Sequence, residues 1–207
     1  MLALIDYGAG NLTSVRKALG AIDASFFTPS APADLGGAAG IVVPGVGHFG
    51  ATDALDGAWR AAILDAVGSG VPLLGICLGL QYLFSGSEEA PEIRGLALLP
   101  GMCELLPATL KVPHVGWNSL DVVRPSRILE GIADGTQVYF THSYAAPVTA
   151  DCVATATHSS TFAAVVERDH IAGVQFHPEK SGDAGLRVLR NFLRMTGASA
   201  LAPSRTA

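Results

Sequence analysis

Short apolar runs alternate with segments of helical periodicity through the first half of the chain. The apolar runs cover residues 2–5, 40–43 and 71–77. Helical patterns follow them, from residue 12, over about residues 52–67, and over residues 78–84. Continuous apolar strands that alternate with helices are typical of a parallel sheet with both faces covered. This half therefore predicts an α/β fold with a central, mostly parallel sheet and helices on both faces.

The second half of the chain has a different pattern, because most of its apolar segments resemble strands. The predicted strands lie around residues 115–123, 137–141 and 153–156, and residues 162–176 predict a hairpin. A final helical pattern over residues 182–195 carries a stripe of leucines. We expect this strand-rich half to belong to one single domain, residues 1–197, and we expect residues 198–207 to form a disordered tail.

Composition and charge narrow the range of functions. The 207 residues are 49% hydrophobic and carry a formal net charge of −5. The sequence has no basic block, so nucleic acid and membranes are poor candidates as partners. The longest apolar stretch, residues 71–84, is interrupted by proline and glycine and is too short to span a bilayer. Three cysteines without a C-x-x-C pair argue against a disulfide framework or a zinc site. We therefore expect a cytoplasmic protein with neither metal nor cofactor.

The segment GICLGLQ, residues 75–81, places Cys77 between two glycines where a predicted strand meets a predicted helix. Sites in parallel sheets form at this edge, and a tight strand-to-helix turn exposes its central side chain, as in the nucleophile elbow of hydrolases. The start of the helix favours a thiolate there, and the amide of Leu78 would face an oxyanion. The alternative is a buried structural cysteine, which is the interpretation we prefer for Cys103 and Cys152.

A thiolate nucleophile needs an imidazole base, and the base needs an acceptor that orients it. Among six histidines, only His177 has a carboxylate at matched spacing, in the segment QFHPEKS at residues 175–181. In an extended chain, His177 and Glu179 point to the same side, and Pro178 excludes a helix. The alternative is a strand end with a chance H-x-E. A base at His142 is a further alternative, but it lacks such a carboxylate and is expected to be structural.

The segment PGVGHFG, residues 44–50, permits two interpretations. It contains G-x-G-x-x-G after an apolar strand, which is the pattern of a nucleotide-binding oxidoreductase. Against this, Pro44 precedes the first glycine, the run is not the first strand, and the next strand ends in a cysteine rather than an acid. The preferred interpretation is an oxyanion strand. Gly45 and Gly47 allow the backbone to flip, so that the amide of Val46 faces the oxyanion beside that of Leu78.

Together, G-x-C-x-G-x-Q at residues 75–81 and H-P-E about a hundred residues later resemble the class I (triad) glutamine amidotransferases. Four further motifs are IDYGAGN, PGVGHFG, PHVGWN and YFTHSY. They narrow the resemblance to the glutaminase subunits of imidazole glycerol phosphate synthases, which serve histidine biosynthesis. The resemblance implies a flavodoxin-like fold and hydrolysis of L-glutamine to glutamate and ammonia through a γ-glutamyl thioester on Cys77. Another class I glutaminase, such as that of the vitamin B6 synthase, is the alternative.

The same resemblance implies roles for residues outside the triad. Glutamine would be held by Gln81 and by the main chain near Gly47 and at residues 142–144, which are His142, Ser143 and Tyr144. The alternatives are an ordinary exposed helix residue for Gln81 and a plain strand end for residues 142–144. The implied partner is a cyclase subunit with a (β/α)8 barrel, docked as a heterodimer so that ammonia passes directly to it. The residues implied for docking are Asn11, Trp117, Asn118, Tyr139 and Lys180. A partly buried core position is the alternative for Trp117.

Overall fold

The computed structural model describes residues 1–10 and 12–197. Its strands are β1 (Leu2–Leu4), β2 (Phe26–Phe27), β3 (Gly40–Val43), β4 (Leu73–Ile76), β5 (Gly86–Ser87), β6 (Met102–Leu105), β7 (His114–Ser119), β8 (Asp121–Val122), β9 (Gln137–His142), β10 (Tyr144–Ala145), β11 (Cys152–His158), β12 (Ser160–Arg168) and β13 (Ile171–Val174). Its α-helices are α1 (Leu12–Gly20), α2 (Ala58–Gly68), α3 (Leu78–Leu83) and α4 (Gly182–Met195). The predicted tail at residues 198–207 lies outside the described residues.

One eight-stranded sheet forms the centre of the fold, in the order β2-β1-β3-β4-β13-β12-β11-β8. The five strands from β2 to β13 are parallel to their neighbours, and the three beyond them are antiparallel. The predicted mostly parallel sheet and the predicted hairpin, β12–β13, are both confirmed. This hairpin places β13 beside β4, and the two strands come from opposite halves of the chain.

Hydrophobic cores lie on both faces of this sheet, because successive side chains of a strand alternate between faces. In β1, Leu2 and Leu4 belong to one core, whereas Ala3 belongs to the other. Helices α1 and α4 contribute their buried residues to the first core, and α2 and α3 contribute most of theirs to the second. The prediction of helices on both faces is therefore confirmed.

Two predicted elements are wrong in their extent. Residues 52–67 do not form one helix, because a 3-10 helix, Phe49–Leu55, ends before α2 begins. The break falls at Gly57, whose φ of 57° lies in the left-handed region and cannot continue a right-handed helix. Residues 115–123 do not form one strand either. Strand β7 pairs with β9 in a separate two-stranded ribbon, whereas β8 joins the edge of the main sheet.

The remaining strands form two small sheets beside the main one. Strand β10 pairs with β6, and β6 pairs with β5, in a three-stranded sheet, while β7 and β9 form the ribbon. Within residues 1–10 and 12–197, the structure contains no helix long and apolar enough to cross a membrane. The ribbon matters most for the site, because the carbonyl of Tyr139 in β9 accepts a hydrogen bond from the amide of His177, at 2.8 Å.

Candidate active site

The register between β4 and β13 brings the two predicted motifs together. Val174 lies opposite Ile76, so the residues that follow them leave the sheet at the same level. Those residues are Cys77 on one strand and Gln175 on the other. The amide of Cys77 donates to the carbonyl of Val174 at 2.8 Å, which fixes the end of one strand to the other. The predicted nucleophile and the segment of the predicted base are therefore direct neighbours.

The turn at Cys77 has the geometry of a nucleophile elbow. Cys77 has φ 53° and ψ −104°, a strained conformation for a residue with a side chain. The flanking glycines are required by close backbone contacts. A Cβ on Gly75 would overlap the carbonyl of Gly79, and a Cβ on Gly79 would overlap the carbonyl of Val43. Only glycine at positions 75 and 79 lets α3 pack this closely against β3 and β4.

His177 and Glu179 form a buried pair. Nδ1 of His177 and Oε1 of Glu179 are 2.8 Å apart, and the two side chains are 1% and 3% exposed. The expectation of an extended segment here is wrong, because Pro178–Lys180 is a turn of 3-10 helix. Proline tolerates the first position of a helix, where its missing N–H has no partner to lose. Ser181 holds this turn: its hydroxyl donates to the carbonyl of His177 and accepts from the amide of Tyr139.

The electrostatics of His177 suit a base that works beside a thiol. Burial lowers its pKa, but hydrogen bonds and charge interactions with the Cys77 sulfur and the Glu179 carboxylate outweigh burial and raise the pKa to about 9. Because Nδ1 faces a carboxylate, it carries the proton, and Nε2 is left for Cys77. Nε2 is buried and has no hydrogen-bond partner among the described residues. The pair therefore presents one nitrogen, in a fixed orientation, for proton exchange with the sulfur.

The predicted oxyanion strand lies beside the elbow. The amide of Leu78 donates to the carbonyl of Gly45 at 3.3 Å. Since C=O and N–H of one peptide point in opposite directions, the amide of Val46 points away from Leu78. Gly45 has no room for a side chain, because a Cβ there would overlap the hydroxyl of Tyr7. The carbonyl oxygen of Gly45 therefore faces the amide of Leu78, which is the amide that we predicted to bind the oxyanion.

A cavity of about 290 Å³ opens over Cys77. It is lined by Val46, Gly47, Cys77, Leu78, Gln81, Glu89, Pro113, Thr141, His142, Ser143 and Tyr144. All residues expected to form the oxyanion hole or to hold glutamine belong to this lining. Gln81 is only 4% exposed, so the alternative of an ordinary exposed helix residue is wrong. The described residues contain no cluster of side chains that could hold a metal ion.

Sequence reasoning missed Glu89 and Gln175. The carboxylate of Glu89 accepts a hydrogen bond from the amide of Phe49 at 2.6 Å and is the one acidic side chain in the lining. Its sequence context, SEEAP, contains no spacing that marks it. Gln175 is fully buried, and its side-chain nitrogen lies 3.6 Å from the sulfur of Cys77. Gln175 belongs to the motif QFHPEKS, in which only the histidine and the glutamate have the spacing of a base and its orienting acceptor.

The other candidates fall into two groups. Cys103 and Cys152 are buried away from the cavity lining, and burial raises the pKa of both thiols, that of Cys152 to about 11. His142 is buried, and its two ring nitrogens engage His114 and the carbonyl of Tyr144. No nitrogen of His142 is left for Cys77, and burial lowers its pKa to about 3. Its geometry is that of a structural histidine.

The predicted docking residues lie on the β7–β9 ribbon and in the turn Pro178–Lys180, which we call the triad turn. Trp117 is 57% exposed, so a core position for it is wrong, and its ring meets that of Tyr139 edge-to-face. The ammonium of Lys180 lies 5.5 Å from the centre of the Tyr139 ring. Asn118 is half-buried and donates to the carbonyl of Thr157. The predicted docking residue Asn11 lies outside the described residues.

The oxidoreductase alternative for residues 44–50 does not match the fold. A dinucleotide-binding loop opens an α-helix whose N-terminus holds the pyrophosphate. Here the loop opens only the 3-10 helix Phe49–Leu55, and its first amides are already engaged by His48 and Glu89. The amide of Phe49 donates to Glu89 and that of Gly50 to the ring of His48. A negatively charged diphosphate would have to displace a carboxylate.

Comparison with known proteins agrees with this geometry. The family model for glutamine amidotransferase class-I matches residues 3–196. Proteins named imidazole glycerol phosphate synthase subunit HisH are 47% identical in Moorella thermoacetica and 46% identical in Methanothermobacter thermautotrophicus. These alignments cover 92% and 94% of this chain and 93% and 98% of the relatives.

Solved structures agree at the level of the fold. A crystal structure of a glutamine amidotransferase superposes with a TM-score of 0.76 at 19% identity, covering 95% of this chain and 99% of the other. The structure of PurLQS from Thermotoga maritima gives a TM-score of 0.72 at 18% identity, with 93% and 97% covered. An elbow cysteine, a buried histidine–glutamate pair and a match along nearly the whole described chain lead to one assignment: the chain belongs to the class-I glutamine amidotransferase family.

Proposed function

We propose that this chain is the glutaminase subunit of an imidazole glycerol phosphate synthase, in which it hydrolyses L-glutamine and delivers ammonia to a cyclase subunit for histidine biosynthesis. The observation that carries the proposal is the elbow at Cys77 with the His177–Glu179 pair beside it. The relatives of nearly equal length are named as subunits of that synthase. The three cysteines are free thiols, as expected in a reducing cytoplasm.

The reaction proceeds in two halves. The Cys77 thiol gives its proton to Nε2 of His177, and the sulfur attacks the γ-carbonyl carbon of glutamine. The C–N bond breaks as the imidazolium donates its proton to the leaving nitrogen, which releases ammonia and leaves a γ-glutamyl thioester. His177 then takes a proton from water, whose oxygen attacks the thioester. The C–S bond breaks, glutamate leaves, and the proton returns to the sulfur.

The peptide between Gly45 and Val46 gates this reaction. The carbonyl of Gly45 accepts a hydrogen bond from the amide of Leu78, our proposed oxyanion donor, so attack on glutamine would create a charge beside a carbonyl oxygen. A flip of the peptide turns that carbonyl away and points the amide of Val46 at the oxyanion, beside the amide of Leu78. The flip provides two donors at once. The amide of Val46 is turned toward the oxyanion, and the amide of Leu78 is released from the carbonyl of Gly45. A signal from the cyclase acts by favouring the flipped state.

Glutamine fits the cavity with its α-ammonium group toward acceptors. Glu89 supplies one carboxylate oxygen that is not used by the amide of Phe49. Gln81 uses its side-chain nitrogen for the carbonyl of Tyr144 and for Gln175, so only its Oε1 is left to face a ligand. Both groups accept hydrogen bonds, which suits an ammonium group. Main-chain groups of residues 142–144 complete the cavity and hold the substrate.

The cyclase docks on the ribbon side of the site, and we take its fold to be a (β/α)8 barrel. Trp117 and Val115 are exposed on β7, and each is 57% exposed. Tyr139 lies opposite Trp117 on β9. An exposed tryptophan beside a tyrosine and the cation of Lys180 suits the centre of a protein interface. Because the backbone of Tyr139 holds the triad turn, the docked partner lies close to the site of ammonia release.

Reconstitution with a cyclase tests the function. We expect the chain plus cyclase to form imidazole glycerol phosphate from glutamine and the ribotide substrate. Product formation is measured by chromatography. The matched control omits this chain and supplies the cyclase with an ammonium salt instead of glutamine. This mixture should also give product. If the control succeeds but the complete mixture gives no glutamine-dependent product, the proposed partner is wrong. Hydrolysis of glutamine in the presence of the vitamin B6 synthase instead of the cyclase would then indicate the alternative class I glutaminase.

A further inference from the structure

Gln175 is the buried polar side chain of the site that the mechanism above does not use. It follows β13 directly and lies level with Cys77, which follows β4. The side chain is fully buried, so its amide cannot exchange partners with bulk water. Its two contacts are with the sulfur of Cys77 at 3.6 Å and with the side chain of Gln81 at 3.4 Å. A buried amide with these two partners has to present a definite atom to each.

The orientation of this amide follows from one backbone carbonyl. The carbonyl of Tyr144 can only accept, so the atom of Gln81 that lies 2.8 Å from it must be the nitrogen, Nε2. The same nitrogen faces Gln175, which must therefore present its oxygen, Oε1, to Gln81. The other end of the Gln175 amide is then the nitrogen, and it points its N–H at the sulfur of Cys77. The alternative flip would place two donors against each other and an oxygen against the sulfur.

The carbonyl of Tyr144 is itself held in place from the other side. It lies 3.0 Å from Nδ1 of His142, which must carry a proton to donate to it. Nε2 of His142 then accepts from Nδ1 of His114, at 3.1 Å. Burial lowers the pKa of both rings, to about 3 for His142 and about 4 for His114, so both stay neutral and keep these tautomers. The polarity of the whole chain of hydrogen bonds is thus fixed.

We propose that Gln175 is a catalytic residue that donates a hydrogen bond to the Cys77 thiolate, and that Gln81 is the positioning residue that orients it. The donor stabilises the thiolate before attack. An N–H donor that is already in place when the charge forms costs no reorganisation. The proposal rests on the proposed role of Cys77 as nucleophile.

The test is the pH profile of alkylation of Cys77 by iodoacetamide, with the modified cysteine identified by peptide mass spectrometry. For Gln175→Leu, which keeps the size and removes the donor, we expect alkylation at pH 7 to be about tenfold slower than in the wild-type chain. We expect the limiting rate at high pH to be unchanged, because the thiolate forms there without help. A merely structural role would lower that limiting rate as well.

Two further variants guard against misfolding. Gln81→Leu keeps Gln175 but frees its amide to flip, and should give a smaller loss of the same form. Asn191→Ala removes another buried amide, which binds the carbonyls of Ile128 and Glu130, and should leave the profile of Cys77 unchanged. The other ionisable groups that interact with Cys77 are His177 and Tyr7, and both are retained in every variant.

The outcomes separate this proposal from the function on which it rests. If wild-type Cys77 reacts no faster at pH 7 than Cys103 and Cys152, the nucleophile itself is wrong. If Cys77 is reactive but Gln175→Leu has the wild-type profile, only the role of Gln175 is overturned. An equal shift of the profile in Asn191→Ala would also overturn it, because the effect would then report general loosening of the fold.

Discussion

The two ring nitrogens of His177 face different environments, and this asymmetry lets one residue serve as base and acid. Nδ1 is held at 2.8 Å from Glu179, whereas Nε2 is left for the sulfur of Cys77. The pKa raised to about 9 means that the protonated ring is favoured in the folded chain. The imidazolium that forms when Cys77 loses its proton is therefore stabilised at neutral pH.

This shift predicts a pH dependence of stability. In the unfolded chain, His177 titrates near 6.5, so its contribution to the free energy of unfolding is fully present below that pH. The contribution decreases as the pH rises from 6.5 to about 9, where the folded chain also loses the proton. We therefore expect the free energy of unfolding of the wild type to decrease over this window. Urea unfolding at several pH values measures it.

The matched variant for this measurement is Glu179→Gln, which keeps the shape of the side chain and removes its charge. Its free energy of unfolding should change less between pH 6.5 and 9 than that of the wild type, because His177 then has a weaker reason to hold its proton. Parallel curves for the two proteins would show that Glu179 does not stabilise the imidazolium.

At the scale of elements, the oxyanion strand at residues 44–47 is the part suited to change state. The triad is fixed by β4, β13 and a turn that Ser181 locks. The Gly45–Val46 peptide is held by a single longer hydrogen bond, 3.3 Å, to the amide of Leu78. We therefore expect coupling between partner and site to act more readily on this peptide than on Cys77 or His177.

We expect the side chain of Val46 to control how readily this peptide flips. We expect Val46→Gly to raise glutamine turnover of the isolated chain, since a residue without Cβ enters the flipped conformation at lower cost. Val46→Ala is the matched control and should raise turnover less. The assay is glutamate release by the chain alone, with cyclase, and with cyclase plus ribotide. Unchanged basal turnover in both variants would mean that this peptide is not the gate.

The buried elements were the most predictable from sequence. The strands at residues 40–43 and 73–76 and the helix Gly182–Met195 have strong apolar patterns, and the structure places them within a few residues of the prediction. Strands β2, β5 and β10 have only two residues each, too few for any period to be detected. The helix predicted from residue 52 is interrupted at Gly57, whose left-handed backbone the apolar pattern does not reveal.

The site was predictable only as far as its motifs carry chemistry. Cys77, His177 and Glu179 are marked by residue type and spacing. Gln175 contacts Cys77 across 98 positions of the chain, and this contact depends on the register of two strands. Glu89 lies 40 positions along the chain from Phe49, whose amide donates to its carboxylate. Contacts of this kind are set by topology, which local patterns do not contain.

Over the whole molecule, the main sheet and the β7–β9 ribbon contribute different parts of the site. The main sheet holds the nucleophile, while the β7–β9 ribbon presents Trp117 to solvent and holds the triad turn through the backbone of Tyr139. A partner on the ribbon, as proposed above, would lie next to the turn that holds His177. Glutamine hydrolysis and ammonia use are then separate activities of one complex, and only the transfer of ammonia links them.

The separation of these activities in Cys77→Ala tests the central claim most directly. The measurement is product formation by the complex of this chain with cyclase, supplied either with glutamine or with an ammonium salt. We expect Cys77→Ala to abolish glutamine-dependent synthesis and to keep ammonia-dependent synthesis at the wild-type rate. Cys103→Ser and Cys152→Ser should keep both activities. Glutamine-dependent synthesis that survives in Cys77→Ala would contradict the account.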